Sequence, residues 1–210
     1  MHFSFHFLRH CWLSAAISAF VMLGMPLASY GSIITYNVAL SGPNESPANA
    51  SPGTGSGTVV VDNVAHTMAV NFSFTGLTGN TTASHIHAAT AIPLTGTSGV
   101  ATTTPSFAGF PLGVTAGAMN NTLDMTLASS YNPAFVTANG GTTASAEVVL
   151  FQAMVDGKAY LNVHSSTFGG GEIRGFLITA VPEPSSFILA GLAVLGMAVR
   201  YRRKRKVVQA

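Results

Sequence analysis

The chain has 210 residues, of which 48% are hydrophobic and only 8% are charged. Soluble domains carry charges on roughly a quarter of their residues. This shortage of charge excludes a coiled coil, a nucleic-acid-binding domain and an acidic disordered tail. The length predicts one domain, with or without appended segments at its ends.

Residues 1–31 have the order of regions that is typical of a secretory signal peptide. A weakly basic start precedes an apolar stretch from Cys11 to Met25, and Pro26 ends that stretch. Small residues follow, and cleavage after either Ala28 or Gly31 fits them. We therefore predict an exported protein; the alternative is an uncleaved membrane anchor.

Residues 181–210 combine three features in a fixed order. The first is Pro182-Glu183-Pro184, an extended joint that does not form a helix. The uncharged stretch Phe187–Val199 follows and predicts a short transmembrane helix, although about 20 residues are needed to span a bilayer comfortably. Six of the nine Lys and Arg residues then lie between Arg200 and Lys206, where they fit a stop-transfer block on the cytoplasmic side.

Together these features resemble the PEP-CTERM sorting signal of Gram-negative bacteria. The resemblance implies export across the inner membrane, transient anchoring there through the C-terminal helix, and recognition and cleavage by an exosortase. It also implies a host that makes exopolysaccharide or a biofilm matrix, and a final location at the cell surface or outside the cell. The alternative is an ordinary single-pass anchor.

Residues 32–180 hold the working domain. This segment has six acidic and two basic side chains, a net charge of −4, so we expect it to bind neither phosphates nor nucleic acid. The only cysteine, Cys11, lies in the signal peptide. The exported domain therefore has no disulfide and no Cys-based metal site.

The domain is rich in Gly, Ser, Thr, Ala and Val, which is typical of an all-β protein with many turns. In chain order we predict strands at 33–40, 57–61, 67–74, 83–88 and 122–127, a helical turn at 133–138, a helix at 142–155, and strands at 158–165 and 173–179. The helix is expected to bury a face formed by Val148, Phe151 and Val155. The predicted fold is mainly β, an antiparallel sandwich or barrel-like module with one or two short helices.

Three segments concentrate the side chains that could carry chemistry. His85 and His87 are two residues apart on a predicted strand, so they share one face of the sheet. The same alternation places two further groups on one face each: Tyr160, Asn162 and His164 in one, Glu172 and Arg174 in the other.

These motifs, in this order, resemble a CHRD domain, a module named after chordin that also occurs in exported bacterial proteins. The resemblance covers nearly all of residues 35–178 and includes His85-Ile86-His87, Gly157–Ser165 and Gly171–Gly175. Two positions depart from the family pattern: Ala88 stands where a Gly is usual, and Gly169-Gly170 where a Pro is frequent. The resemblance implies an all-β, sandwich-like module but hardly any biochemical activity.

The histidines leave two interpretations open. A His-x-His pair with a third His on a β scaffold suits Cu or Zn, and the layout loosely resembles that of Cu,Zn superoxide dismutases. The sequence favours a buried network without a cofactor, in which His85, His87, His164 and Asn162 bond one another and a Glu172–Arg174 pair. His66, beside a turn, is expected to be solvated.

Other catalytic signals are weak. The sequence has no Gly-x-Ser-x-Gly elbow, no P-loop and no carboxylate pair clearly placed for glycoside hydrolysis. The leading prediction is therefore a non-enzymatic surface or matrix module that contacts polysaccharide or another protein. A Cu- or Zn-binding protein is the alternative.

Overall fold

The structure, a computed structural model, describes residues 33–180. The predicted signal peptide and the predicted sorting helix lie outside these residues. In chain order the elements are strands β1 (Ile33–Ser41), β2 (Thr54–Asp62), β3 (Thr67–Thr75), β4 (Thr81–His87) and β5 (Gly117–Asp124), helices α1 (Pro133–Ala138) and α2 (Thr143–Val155), and strands β6 (Tyr160–Ser165), β7 (Ile173–Phe176) and β8 (Ile178–Thr179). Neither described helix has the length and apolar character that a membrane crossing requires.

All eight strands belong to one antiparallel sheet, in the order β4-β6-β7-β1-β2-β3-β5, with β8 also beside β1. The predicted mainly β, antiparallel character is confirmed, and of the two predicted forms the curled half-barrel agrees with the barrel-like one and not with a two-sheet sandwich. The reason is that β7 pairs with β1 through Ser41 and Arg174. This pair joins β4-β6-β7 to β1-β2-β3-β5 in one hydrogen-bonded sheet. The natural twist of long strands then curls the sheet around a single core.

The inner face of the curled sheet carries the hydrophobic core. Alternate side chains point to it because successive residues of a strand face opposite sides. Its buried members on the strands include Tyr36, Val38, Leu40, Val59, Val61, Met68, Val70, Phe72, Phe74, Ile86, Leu161, Val163 and Ile173. The outer face of the same strands carries the residues between them.

Helix α2 contributes to this core, but through a face that differs from the predicted one. Its extent and its cap are confirmed: the Thr142 hydroxyl accepts a hydrogen bond from the Ser145 amide at 3.1 Å. Val148 and Val155, however, are 69% and 52% exposed. The residues buried in the core are Ala146, Leu150, Ala153 and Met154. The prediction was wrong because apolar residues stand on both sides of the helix, so spacing alone does not choose between them.

Several strand boundaries also differ from the predicted ones: β2 and β4 begin earlier, at Thr54 and Thr81, β5 begins five residues earlier, at Gly117, and β6 begins later, at Tyr160. Strand β5 ends at Asp124, because the Asp124 carboxylate accepts hydrogen bonds from the amide and hydroxyl of Thr126 and forms a turn there. The predicted last strand is divided in two at Leu177, whose amide bonds the Ala159 carbonyl.

Candidate metal centre

The outer face of β4, β6 and β7 brings the predicted histidines together. Ile86 and Leu161 face the core, so their strand neighbours face outward. His85 lies directly opposite Asn162 in the β4–β6 register, and His164 lies two residues further along β6. Side chains in such direct and diagonal positions are within reach of one another.

The three imidazole rings form a compact triangle. Their centroids are 5.1 Å apart for His85 and His164, 5.8 Å for His85 and His87, and 5.9 Å for His87 and His164. One ring nitrogen from each lies within 4.8 Å of the corresponding nitrogens of the other two. Among residues 33–180, this is the one group of three or more His, Cys, Asp or Glu side chains that is close enough to share a metal ion.

Each ring donates one N–H to a backbone carbonyl, and this fixes its tautomer. The donor–acceptor pairs are His85 Nε2 and Pro105 O at 2.6 Å, His87 Nδ1 and Ser98 O at 2.9 Å, and His164 Nδ1 and Gly169 O at 3.0 Å. A carbonyl oxygen only accepts, so the bonded nitrogen carries the hydrogen. In the neutral ring the second nitrogen then has a free lone pair.

These second nitrogens are buried and have no hydrogen-bond partner. They are Nδ1 of His85, Nε2 of His87 and Nε2 of His164. Burial lowers the pKa of all three histidines, that of His87 to about 4, so the rings are neutral at neutral pH. Buried polar atoms without a partner are rare in proteins, and three of them within one histidine triangle call for an explanation.

The arrangement fits a metal ion. Metal-bound histidines usually donate their other ring N–H to a carbonyl or carboxylate, as all three do here. Bonds of about 2.0–2.1 Å to Zn would place tetrahedral ligand nitrogens about 3.4 Å apart, so nitrogens separated by up to 4.8 Å would approach one another by at most about 1.4 Å around an ion. Three neutral imidazoles without a thiolate are a donor set for Cu or Zn.

A stacked column of side chains extends from the triangle towards β7. The Tyr160 ring lies parallel to that of His87, with 4.8 Å between centroids and 3° between planes. The Arg174 guanidinium lies 4.7 Å from the centre of the Tyr160 ring. Arg174 also donates to the carbonyls of Asn44 at 2.5 Å and Gly96 at 2.9 Å. The column therefore fixes one ring of the triangle and fastens two loops over the outer face.

Glu45 is part of this face, and sequence reasoning missed it. Its carboxylate lies 3.8 Å from Arg174 Nε, and its Oε1 is buried without a partner. Burial raises the pKa of Glu45 to about 7, although the charge of Arg174 and a backbone hydrogen bond from Ser46 oppose the rise. Glu45 stands in a proline-containing loop without periodicity, so no pattern in the sequence indicated its place.

Gly171 permits the close approach of Glu45 and Asn162. Its φ is +135°, and a Cβ there would lie 2.7 Å from Glu45 Oε1 and 2.6 Å from Asn162 Nδ2. Asn162 Oδ1 is itself buried without a partner. A side chain at position 171 would thus displace the two groups that border the histidine triangle.

The hydrogen-bonded network expected from the sequence does not form. In the described part of the chain, no hydrogen bond links the three rings to one another or to the Asn162 side chain. The predicted Glu172–Arg174 pair is also absent there, because Glu172 precedes β7 and its carboxylate turns away. It accepts hydrogen bonds from the Ser51 hydroxyl at 2.6 Å and from the Thr78 and Gly79 amides.

Glu172 therefore has a structural role different from the predicted one. Its burial raises the pKa, but hydrogen bonds from Ser165, Ser51 and the two amides outweigh burial and hold the pKa below its ordinary value. His66 is half solvated, as expected, but it also hydrogen-bonds Glu147 through Nδ1 at 2.9 Å. It stands apart from the histidine triangle.

The fold and the site define a class of protein: an antiparallel β module whose loops bury a histidine triangle on the outer face of its sheet. The chain belongs to the CHRD domain family, since the family model described as the CHRD domain matches residues 36–177, more than half of the chain. A second model, the PEP-CTERM protein-sorting motif, matches residues 180–204. Both predicted resemblances are confirmed. Comparison with curated proteins and with solved structures gives no match.

The sorting motif assigns the chain to a cellular route. It marks an exported protein that is processed by an exosortase and is placed at the cell surface or outside the cell. Pro182, Glu183 and Pro184 and the apolar stretch 187–199 fall inside the matched residues, which end at 204, whereas the predicted signal extends to 210. The histidine triangle thus belongs to a domain that works outside the cytoplasm.

Proposed function

We propose that the protein is an exported, non-enzymatic CHRD module that binds one Cu or Zn ion through His85, His87 and His164. Two observations carry the proposal: one ring nitrogen of each histidine lies within 4.8 Å of those of the other two, and each ring has a buried nitrogen without a hydrogen-bond partner. The other nitrogen of each ring already donates a hydrogen bond to a backbone carbonyl.

A metal ion accounts for these nitrogens better than a purely structural role does. A buried polar atom without a partner costs about 1–3 kcal/mol, and the triangle contains three of them. One cation would satisfy all three lone pairs at once. A network selected only for stability would instead bond the rings to one another, as the sequence led us to expect.

The donor set favours copper over zinc. Affinity for divalent ions at a given nitrogen site rises through the first-row series to Cu²⁺ and falls again at Zn²⁺. Metal binding requires neutral imidazole, and burial already lowers the pKa of the three rings. We therefore expect Cu²⁺ to bind more tightly than Zn²⁺.

The proposed route covers export, anchoring, cleavage and the final location of the protein. In this proposal a signal peptide at 1–31 directs export, and the helix predicted at 187–199 anchors the precursor in the inner membrane until the exosortase cleaves it. The released module then stands at the cell surface or in an exopolysaccharide matrix, where its polar loops contact polysaccharide or other proteins. The scarcity of charge supports uncharged partners of this kind.

Metal analysis of the purified exported protein tests the proposal. After saturation with Cu²⁺ or Zn²⁺ and removal of free ion, we expect one equivalent per chain. His87→Ala should lose it, whereas His66→Ala should retain it, because His66 lies apart from the triangle and is paired with Glu147. A folded wild-type protein that binds neither ion stoichiometrically would overturn the proposal, as would equal loss in both variants.

A further inference from the structure

An apolar groove lies between helix α2 and the end of the sheet where β1 begins. Its volume is about 440 Å³, and its apolar lining consists of Ile34, Val61, Ala144, Val148, Phe151 and Val155. Two of these, Val148 and Val155, are more than half exposed. We call this surface the α2 groove. It is unrelated to the histidine triangle, which lies on the outer face of other strands.

One rim of the α2 groove is polar. His66 and Glu147 line it, and their side chains hydrogen-bond each other at 2.9 Å. Glu147 is buried and its carboxylate already accepts a hydrogen bond from His66, so most of the lining that remains for a partner is apolar. A partner that fills the groove therefore gains chiefly by burying apolar surface.

The chain leaves the module beside this groove. Strand β8 runs antiparallel to β1, with Thr179 opposite Tyr36, and the Ala180 amide donates to the Thr35 carbonyl at 2.8 Å. The residue before Thr35 is Ile34, which lines the groove. The exit point and the groove thus share one end of the sheet.

The sorting motif follows the exit at once. It begins at residue 180, and Pro184 is only four residues beyond Ala180. Four residues of chain span at most about 14 Å, whatever their conformation. An enzyme that reads Pro182-Glu183-Pro184 must therefore stand against the end of the module that carries the α2 groove.

We propose that the α2 groove is a docking surface for the exosortase that processes this chain. An apolar segment of this enzyme would occupy the groove while its active site holds the sorting motif. A small groove is enough for this contact, because the enzyme already holds the sorting motif a few residues away. Such a short link raises the effective concentration of the groove to the millimolar range. Exposed apolar surface of this kind commonly marks an interaction site.

The test uses the full chain in a host that processes it. Val148→Lys combined with Val155→Lys places two charges on exposed positions of the groove, so the fold should tolerate them. We expect conversion of precursor to processed protein, followed by pulse–chase, to slow by about tenfold. The matched control combines Leu112→Lys with Leu127→Lys, which are 57% and 52% exposed and do not line the groove. Its conversion rate should equal that of the wild type.

A folded groove variant that is processed at the wild-type rate would overturn the proposal. So would an equal slowing in the control pair, since the effect would then belong to surface charge in general. Two further readouts identify other occupants if the groove variant is processed at the wild-type rate. Loss of dimerisation in the purified variant would assign the groove to a second copy of the chain. Loss of binding to phosphatidylethanolamine–phosphatidylglycerol vesicles would assign it to lipid. The readouts do not depend on metal binding by the histidine triangle.

Discussion

The two faces of the β4–β6–β7 strands are both buried, but they are buried for different reasons. On the inner face, Leu161 and Val163 of β6 are fully buried in the hydrophobic core, and their side chains need no hydrogen-bond partner. On the outer face, Asn162 and His164 of the same strand lie under loops and do need partners. Within residues 33–180, five of the seven buried side-chain atoms without a partner belong to this outer cluster.

This difference separates stability from function. The inner face is complete, because every apolar contact it can make contributes to folding. The outer face is incomplete, because five of its polar atoms have lost water and have no hydrogen-bond partner in exchange. A face that is buried, polar and unsatisfied is expected to gain its missing partner from a ligand. Substitutions on the two faces should therefore change the free energy of unfolding by different amounts, and only those on the outer face should change its dependence on metal.

The largest effect is expected from the inner face. Leu161→Ala removes a fully buried side chain and should lower the free energy of unfolding by about 2–5 kcal/mol, since the cavity it leaves cannot close completely. Urea unfolding of the metal-free protein measures the change. A loss below about 1 kcal/mol would show that the inner face is loosely packed and would remove the contrast with the outer face.

The outer face should show a dependence on metal instead. At a free Cu²⁺ concentration of 100 times Kd, we expect the wild type to gain about 2.7 kcal/mol in the free energy of unfolding. His87→Phe should abolish this gain. In the metal-free protein the same substitution should change stability by less than about 1.5 kcal/mol, because it loses one bond to Ser98 but also removes an unpartnered nitrogen.

A different result would break the comparison. If His87→Phe costs more than about 3 kcal/mol without metal, the outer face is a structural network that stabilises the fold, as the sequence alone suggested. His66→Phe is the matched control, because His66 lies outside the triangle and its pairing with Glu147 is half exposed. It should leave the metal-induced gain unchanged.

Much of the inner face could be predicted from the sequence. Alternation identified the β2–β3 hairpin and the face formed by Met68, Val70, Phe72 and Phe74, because period-two patterning follows directly from strand geometry. Alternation could not show that the strands form one sheet. That depends on the pairing of Ser41 with Arg174, which are far apart in the chain.

The outer face could be predicted only in part. Spacing placed His85, His87 and His164 on common faces, and the CHRD resemblance placed the two strands in one module. The bonds that fix the rings come from backbone carbonyls in the loops, such as those of Ser98 and Pro105. Every residue type has such a carbonyl, so the sequence carries no signal for it.

Glu45, the carboxyl group of the outer face, should have a smaller effect, on the pH dependence of stability. Burial raises the pKa of Glu45 from 4.5 to about 7, so the folded protein binds more protons than the unfolded chain between these values, and Glu45 lowers stability as pH rises through them. His87 acts in the opposite sense: burial lowers its pKa from 6.5 to about 4, so stability falls as pH drops through this range. The two trends partly cancel.

Glu45→Gln should uncover the histidine trend. In the metal-free variant we expect the free energy of unfolding to fall more steeply from pH 6.5 to 4.5 than in the wild type, by on the order of 2 kcal/mol. Urea titrations at several pH values measure it. Glu172 does not obscure this window, because its pKa is held below 4.5 and its contribution is lost only at lower pH. Parallel pH profiles would show that folding does not raise the pKa of Glu45.

The smallest effect should come from the helix that covers the inner face. Thr142→Ala removes the hydroxyl that accepts from the Ser145 amide and should cost about 1 kcal/mol of stability. The cap and the histidine triangle share no partner, so their effects should add, and the metal-induced gain in Thr142→Ala should match that of the wild type. Unfolding with and without Cu²⁺ checks both statements. A changed gain would mean that α2 and the outer face are coupled through the sheet, and that the two faces do not act independently.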